Sequence, residues 1–508
     1  MHLSELAAAA PDKPAVITAD GDRVLTYGDL DRRSRQVSRL LASLGVGTGD
    51  HVALLLPNRP EYFEVAWGAQ RRGTYWTPVN WHLTAEEAGY IVADCGARVL
   101  FAAAETAQAA AQIAFGQPGL AVFVAGREPG SGQQSYEAAI SAQSADPLAD
   151  EVDGAVFFYS SGTTGRPKGI KPSHTFPPFG SPATLPQLMG VVFGFGPDSV
   201  YLCPAPLYHA APNNFCLGTH RLGGTVVLMD RFDPAGCLRA IEAHRVSHVQ
   251  FVPTHFVRLL RLPDEQRLAF DVSSLRTVVH AAAPCPPEVK RQMIDWLGPC
   301  LVEYYAGSEA NGVTLIDSAD WLAHPGSVGR AVGAAVHIVG DDGAELPAGQ
   351  DGLIYFESQT FEYHNDPAKT ASARDDRGWS TLGDIGHLDE EGYLYLSDRR
   401  TDLIISGGVN IYPAEVEAVL IGHPAVDDVA VIGVPDPEMG QLVLAIVQLS
   451  DEGTGSPDLA AELIEHCRAR LASFKCPRSI EFVADLPRLP TGKLLRRQLR
   501  AERAGQDR

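Results

Sequence analysis

Tyr159-Ser160-Ser161-Gly162-Thr163-Thr164-Gly165-Arg166-Pro167-Lys168-Gly169 directly follows the apolar run Ala155–Phe158. The run has the composition of a buried strand. In the turn after it, glycines let backbone N–H groups approach an oxyanion, the Ser and Thr hydroxyls add donors, and Lys168 supplies a point charge. A strand that runs into such a phosphate cradle is expected in layered α/β architecture. The GxxxxGK[ST] pattern is absent from the chain, which excludes a P-loop NTPase.

The flanking sequence repeats this texture. Short apolar runs at Ala97–Phe101, Leu120–Val124, Ala155–Tyr159, Thr225–Leu228, His248–Val252, Thr277–His280 and Leu301–Tyr305 read as strands. Helical segments such as Pro234–His244 and Pro287–Trp296 lie between them, so the sheets are expected to be largely parallel and buried on both faces. Thr26 to Asp29 has the form of a helix N-terminus, and Leu30, Val37, Leu40, Leu41 and Leu44 recur at helical spacing until Gly45. From about residue 328 short alternating strands with Gly turns suggest a small, mainly antiparallel β unit over 328–397. After Asp398-Arg399-Arg400 the pattern restarts with a Pro413–Leu420 helix, strands at Val429–Val434 and Leu442–Gln448, and a Leu459–Leu471 helix. The expected organisation is a large α/β N-terminal domain over 1–397, a hinge at 398–402 and a smaller, mobile α+β domain over 403–508.

Composition narrows the function classes. The chain has 508 residues, 45% hydrophobic and 20% charged, which is ordinary globular usage and excludes a disordered protein. Lys+Arg 41 against Asp+Glu 62 gives a net charge of −21, which argues against nucleic acid or an anionic membrane as the main partner. No apolar run approaches the ~18 residues of a membrane span, and the N-terminus lacks a basic start, so a cytoplasmic chain without a transmembrane segment is expected. The eight cysteines include no CxxC pair, which suits reduced thiols. His244, His248 and His255 lack the Glu of an HExxH zinc motif, and no GxSxG nucleophile elbow is present.

Further motifs follow the phosphate loop in order: Ala281-Ala282-Ala283-Pro284, Tyr305-Ala306-Gly307-Ser308-Glu309, Gly378-Trp379 through Gly383-Asp384, Asp398 to Glu417, and Pro490-Thr491-Gly492-Lys493. With them the whole chain resembles the acyl-adenylate-forming superfamily of acyl-CoA synthetases, luciferases and peptide-synthetase adenylation domains. The resemblance implies an ATP-, Mg²⁺- and coenzyme A-dependent acid ligase. Ser161, Gly162, Thr163, Thr164, Gly165 and Lys168 would bind the phosphates, Ala282, Ala283 and Pro284 line the adenine, and Tyr305 stack on it. Ser308 would contact phosphate, Glu309 hold Mg²⁺, and Asp384 and Arg399 bind the ribose. Lys493 would reach the α-phosphate from the small domain, and Gly407 and Gly408 would pass the pantetheine of CoA. Thr401 stands where relatives often carry Asp or Lys at the hinge, and Ala281 and Ala306 stand where glycines are common.

For the acid, the resemblance places Tyr208, His209, Asn213 and Ala306 in the acyl pocket, with His209 between carboxylate and phosphates. Phe176, Pro177, Pro178 and Phe179 suggest a lid or entrance. Apolar lining implies a hydrophobic acid, with a medium- or long-chain fatty acid the first expectation. An aromatic or steroid-type acid, or delivery of the acyl-adenylate to a carrier protein, is the alternative. A non-catalytic nucleotide-binding regulator is disfavoured, since binding alone needs neither Lys493 nor Glu309.

Overall fold

The computed structural model describes residues 2–160, 167–357, 361–399, 402–406, 409–436, 439–450, 455–471, 473–488 and 494–504. The runs Thr225–Leu228, His248–Phe251 and Thr277–His280 form strands of a thirteen-stranded sheet, with Val200–Cys203 between the first two and the last two side by side. Their pairings are parallel, with Val249 opposite Val278 and Val278 opposite Leu301. Helices cover both faces, which is why these strands read as continuous apolar runs. Leu238, Phe256 and Met293 from three helices pack with Val249, Phe251 and Val278 on one face. Met189, Phe193 and Phe215, from the helices Thr184–Phe193 and Ala210–Arg221, pack with Tyr201, Val226 and Val279 on the other.

A second, six-stranded sheet is centred on His51–Leu55 and Ala97–Ala103. The helix Tyr27–Ser43 packs nearby, with the Thr26 hydroxyl accepting from the Asp29 N–H at 3.1 Å and Gly45 in the left-handed region at φ 72°.

Two sequence expectations are corrected. The run Ala155–Tyr159 is not one strand: Ala155–Val156 pairs parallel with Tyr75 and Trp76, whereas Phe158–Ser160 turns away to pair antiparallel with Lys168–Lys171. Phe157 is the pivot, buried among the rings of His51, Tyr75, Tyr159 and His364. The antiparallel strands of the β unit join edge-on to the large sheet, because Ser327–Ala331 pairs with both Val313–Asp317 and Leu394–Arg399. Gly329, at φ 94°, makes this junction possible, since a side chain there would collide with the Leu315 carbonyl. Nor do Phe176 to Phe179 form a lid. Phe179 is buried edge-on against Trp67 and His2, and Asp153 N–H donates to the Pro177 carbonyl at 2.7 Å, so this segment braces the N-terminal region.

Beyond the large sheet, Val426–Asp436 and Gly440–Leu449 pair antiparallel and Ser479–Val483 adds a parallel strand. The helices Pro413–Leu420 and Pro457–Arg468 close this smaller core through Val416, Leu420, Leu463 and Cys467. Asp402 is tied to the helix Arg496–Ala504 by Arg496 at 3.3 Å and Arg500 at 3.0 Å.

His220 gives the fold an acid sensitivity. It is fully buried, its Nδ1 accepts from Trp67 Nε1 at 3.1 Å and its Nε2 faces the Ala15 carbonyl at 3.1 Å, an arrangement only the neutral ring satisfies. Burial holds its pKa down at about 4, and that of His248 likewise at about 4. The unfolded chain, with a pKa of about 6.5, therefore takes up protons first as pH falls. Stability is expected to decline from about pH 6.5 to about 4, by up to ~1.4 kcal/mol per unit for each histidine. Urea midpoints across that range check this, and a His220→Gln variant should show the shallower dependence.

Candidate active site

The C-terminal ends of the parallel strands open into a cleft of ≈ 2560 Å³. Ligand sites in open α/β sheets lie at this edge, where the loops diverge. Tyr305 extends from Leu301–Ala306 and its hydroxyl donates to Asp384 Oδ2 at 2.7 Å. Asp384 begins the strand Asp384–Leu388, so this bond fixes a half-buried aromatic face beside an oriented carboxylate, the two groups that a nucleoside needs. The loop after Thr277–His280 brings Ala282, Ala283 and Pro284 to the same wall. Ala282 adopts φ 79°, a left-handed conformation that costs a non-glycine residue about 1–2 kcal/mol.

Lys168, Glu309 and Tyr363 line another part of the cleft. Lys168 follows the loop on its own strand, with Nζ 3.7 Å from Asp366 Oδ2 and 5.8 Å from the Tyr363 ring centre. Tyr363 donates its hydroxyl to Glu309 Oε1 at 2.9 Å and leaves the other carboxylate oxygen facing Gly307, where any side chain would crowd it. A hard carboxylate oxygen oriented by Tyr363 is the kind of donor that would suit Mg²⁺, which binds through one or two carboxylates plus phosphate oxygens. Ser308 lines the cleft next to it.

Tyr208 and His209 also line the cleft, just before the helix Ala210–Arg221. Their loop is held by Asn58, which accepts from Leu207 N–H at 2.8 Å and donates to the carbonyls of Ala205 and Met229 at 3.0 and 2.9 Å. Ala306 lies on the same wall. Asn213 is a correction. It has no exposed surface, and its Oδ1 faces the Tyr62 hydroxyl at 2.9 Å behind the cleft, so it anchors the helix while its neighbour Asn214 lines the cavity.

Ser161, Gly162, Thr163, Thr164, Gly165, Gly407, Gly408 and Lys493 lie outside the described residues, as does the side chain of Arg399. Residues the sequence did not single out are Tyr363, Asn58, Gln250 and Tyr304. Among the described residues no group of three His, Cys, Asp or Glu gathers as a metal site, and no helix is long and apolar enough to cross a membrane.

Comparison with known proteins agrees with this geometry. Residues 3–361 match the AMP-binding enzyme family and residues 415–493 match the AMP-binding enzyme C-terminal domain. A feruloyl-CoA synthase of an Amycolatopsis species is 35% identical, over 96% of this chain and 95% of its own length. A long-chain-fatty-acid–CoA ligase of Mycobacterium tuberculosis is 33% identical, over 98% and 97%. Among solved structures, an anthranilate CoA ligase in complex with anthranoyl-AMP superposes with a TM-score of 0.86 at 27% identity, covering 99% of this chain and 97% of that one. The chain belongs to the AMP-binding enzyme family of the acyl-adenylate-forming superfamily. Within it, the protein is an acid–thiol ligase of the AMP-forming, CoA-linked class.

Proposed function

We propose that the protein joins a hydrophobic carboxylic acid to coenzyme A in two steps at one cleft. The carboxylate oxygen attacks the α-phosphorus of ATP and pyrophosphate leaves. The thiol of CoA then attacks the acyl carbonyl of the resulting mixed anhydride, and AMP leaves. The observation that carries this reading is the convergence of Tyr305–Asp384 and Lys168–Tyr363–Glu309 on one cleft, an adenosine end and a phosphate end.

Each residue has a physical task in that reaction. Tyr305 stacks on the adenine while its hydroxyl orients Asp384 toward the ribose hydroxyls, and Arg399 donates to the same sugar. Lys168 and the donors of 161–165 hold the outgoing phosphates. Glu309 keeps its second oxygen for the Mg²⁺ that accompanies ATP, which supplies charge neutralisation at the phosphates. His209 sits between carboxylate and phosphates. Lys493 meets the negative charge that develops during transfer. The hinge at 398–402 and the glycines 407 and 408 serve the second step, when the small domain turns to admit the thiol. The bonds tying Asp402 to the helix Arg496–Ala504 support a domain boundary there.

Apolar lining suits a fatty or a ring-bearing acid, and the relatives named above act on both. The deciding assay is AMP release with ATP and Mg²⁺ over aliphatic and aromatic acids, with and without CoA. Release requiring both an acid and CoA is expected. Adenylate formation without CoA turnover would favour a carrier-protein acceptor instead. In the same assay Glu309→Gln is expected to raise the Mg²⁺ concentration for half-maximal adenylation about tenfold or more, and an unchanged titration would remove Glu309 from the metal site.

A further inference from the structure

The inner wall of the cleft carries a polar pair that the reaction does not use. On the strand His248–Phe251, Gln250 turns to the face covered by the helices Thr184–Phe193 and Ala210–Arg221, since its neighbours Val249 and Phe251 pack on the opposite face. Tyr304 lies on that same face of Leu301–Ala306, as does Ala306. The two side chains meet across the intervening strand, where Val279 is opposite both Gln250 and Val302, and Gln250 Nε2 donates to the Tyr304 hydroxyl at 3.0 Å. The Tyr304 ring is stacked on Phe215 at 6.3 Å, and Phe215 also lines the cleft.

Two features make this pair more than packing. Neither side chain makes another hydrogen bond among the described residues, so the Tyr304 hydroxyl hydrogen and the Gln250 carboxamide oxygen remain for a ligand. The depth is also set by the strand. Ala306 lies at the open C-terminal end, and Tyr304 is two residues further in, about 6.6 Å at strand rise. That is the length of one ring rather than of an extended alkyl chain.

We infer that Gln250 and Tyr304 form a polar end-stop of the acyl pocket that selects a ring-bearing acid with a hydroxyl or amino group at the end remote from its carboxylate. The inference rests on the ligase reading above and deepens it. Phe215, Leu185 and Leu188 cover the faces of the ring, while the end-stop exchanges hydrogen bonds with its substituent. An acid without that substituent leaves the polar pair unsatisfied in a buried site, which is the strongest form of discrimination a pocket has.

The test is acid-dependent ATP–pyrophosphate exchange with para-hydroxybenzoate, para-hydroxycinnamate, their unsubstituted parents and dodecanoate. The wild type is expected to prefer each hydroxylated acid over its parent at least about tenfold in kcat/KM. In Tyr304→Phe and Gln250→Leu that ratio is expected to fall toward one. Because it is a ratio, a smaller folded fraction of a variant does not alter it. A wild-type preference for dodecanoate, or a hydroxyl preference unchanged in both variants, overturns the end-stop while leaving the ligase intact. Exchange with none of the acids, alongside no AMP release with any acid and CoA, overturns the ligase reading itself.

Discussion

Lys493→Ala is expected to lower the adenylation rate by about 10²–10³-fold while leaving thioester formation from supplied acyl-adenylate near the wild-type rate. The asymmetry follows from where charge develops. In the first step a carboxylate meets a triphosphate, so negative charge accumulates on the transferring group and the departing pyrophosphate. A positioned ammonium stabilises that arrangement more than the ground state, and its removal raises the barrier directly. In the second step a neutral acyl carbonyl is attacked and one AMP leaves, with no pyrophosphate to neutralise. Single-turnover measurement of each half-reaction separates the two. Equal loss in both would assign Lys493 a structural task. Lys168→Ala gives the useful contrast: it is placed on the strand Lys168–Lys171, which pairs with Glu362–Tyr363 in a small sheet of its own, and its loss is expected to weaken ATP binding as well as the rate.

The legible part of this protein is what burial writes into local composition. Thr225–Leu228 and Thr277–His280 appear in the structure with the bounds read from sequence, because a parallel strand covered on both faces leaves an apolar run flanked by breakers. Pro413–Leu420 is equally plain, since proline at the first helical position marks the start. Ala155–Tyr159 was not legible as two strands, because both halves are apolar and only their distant partners, Tyr75 and Lys168, decide that the chain turns at Phe157. The same limit applies at the site. Asn213 and Asn214 are adjacent and alike, yet successive helical residues point about 100° apart, so one anchors the helix and the other lines the cleft. Tyr363 on Glu309 and Gln250 on Tyr304 each join residues 54 apart in the chain, contacts that no local motif records.

Lys290→Met is expected to destabilise the large domain by about 3–5 kcal/mol, although the lysine touches no reacting group. Its side chain has no exposed surface, and Nζ lies 2.5 Å from Glu303 Oε2 and 4.8 Å from the Trp321 ring centre. His280, also fully buried, stands 3.6 Å from the same Glu303 oxygen. Burial pushes the Glu303 carboxyl up and the Lys290 ammonium down, so each ion is kept charged only by the other. Without the ammonium, Glu303 must either stay charged in an apolar wall or take up a proton. The sign of the pH dependence follows. A carboxyl with a raised folded pKa contributes its full share below the unfolded value of about 4.3 and loses it as pH rises, so the variant's deficit should grow from mildly acid to neutral pH. Replacing both ions, as in Lys290→Met with Glu303→Leu, removes the stranded charge and should recover most of the loss. Urea midpoints of the single and double variants at two pH values check this. The consequence reaches the cleft, because Glu303 lines it and is followed directly by Tyr304 and Tyr305. A double variant that regains stability but not the selectivity of the Tyr304 wall would show that the ion pair also sets the register in which those two rings are presented.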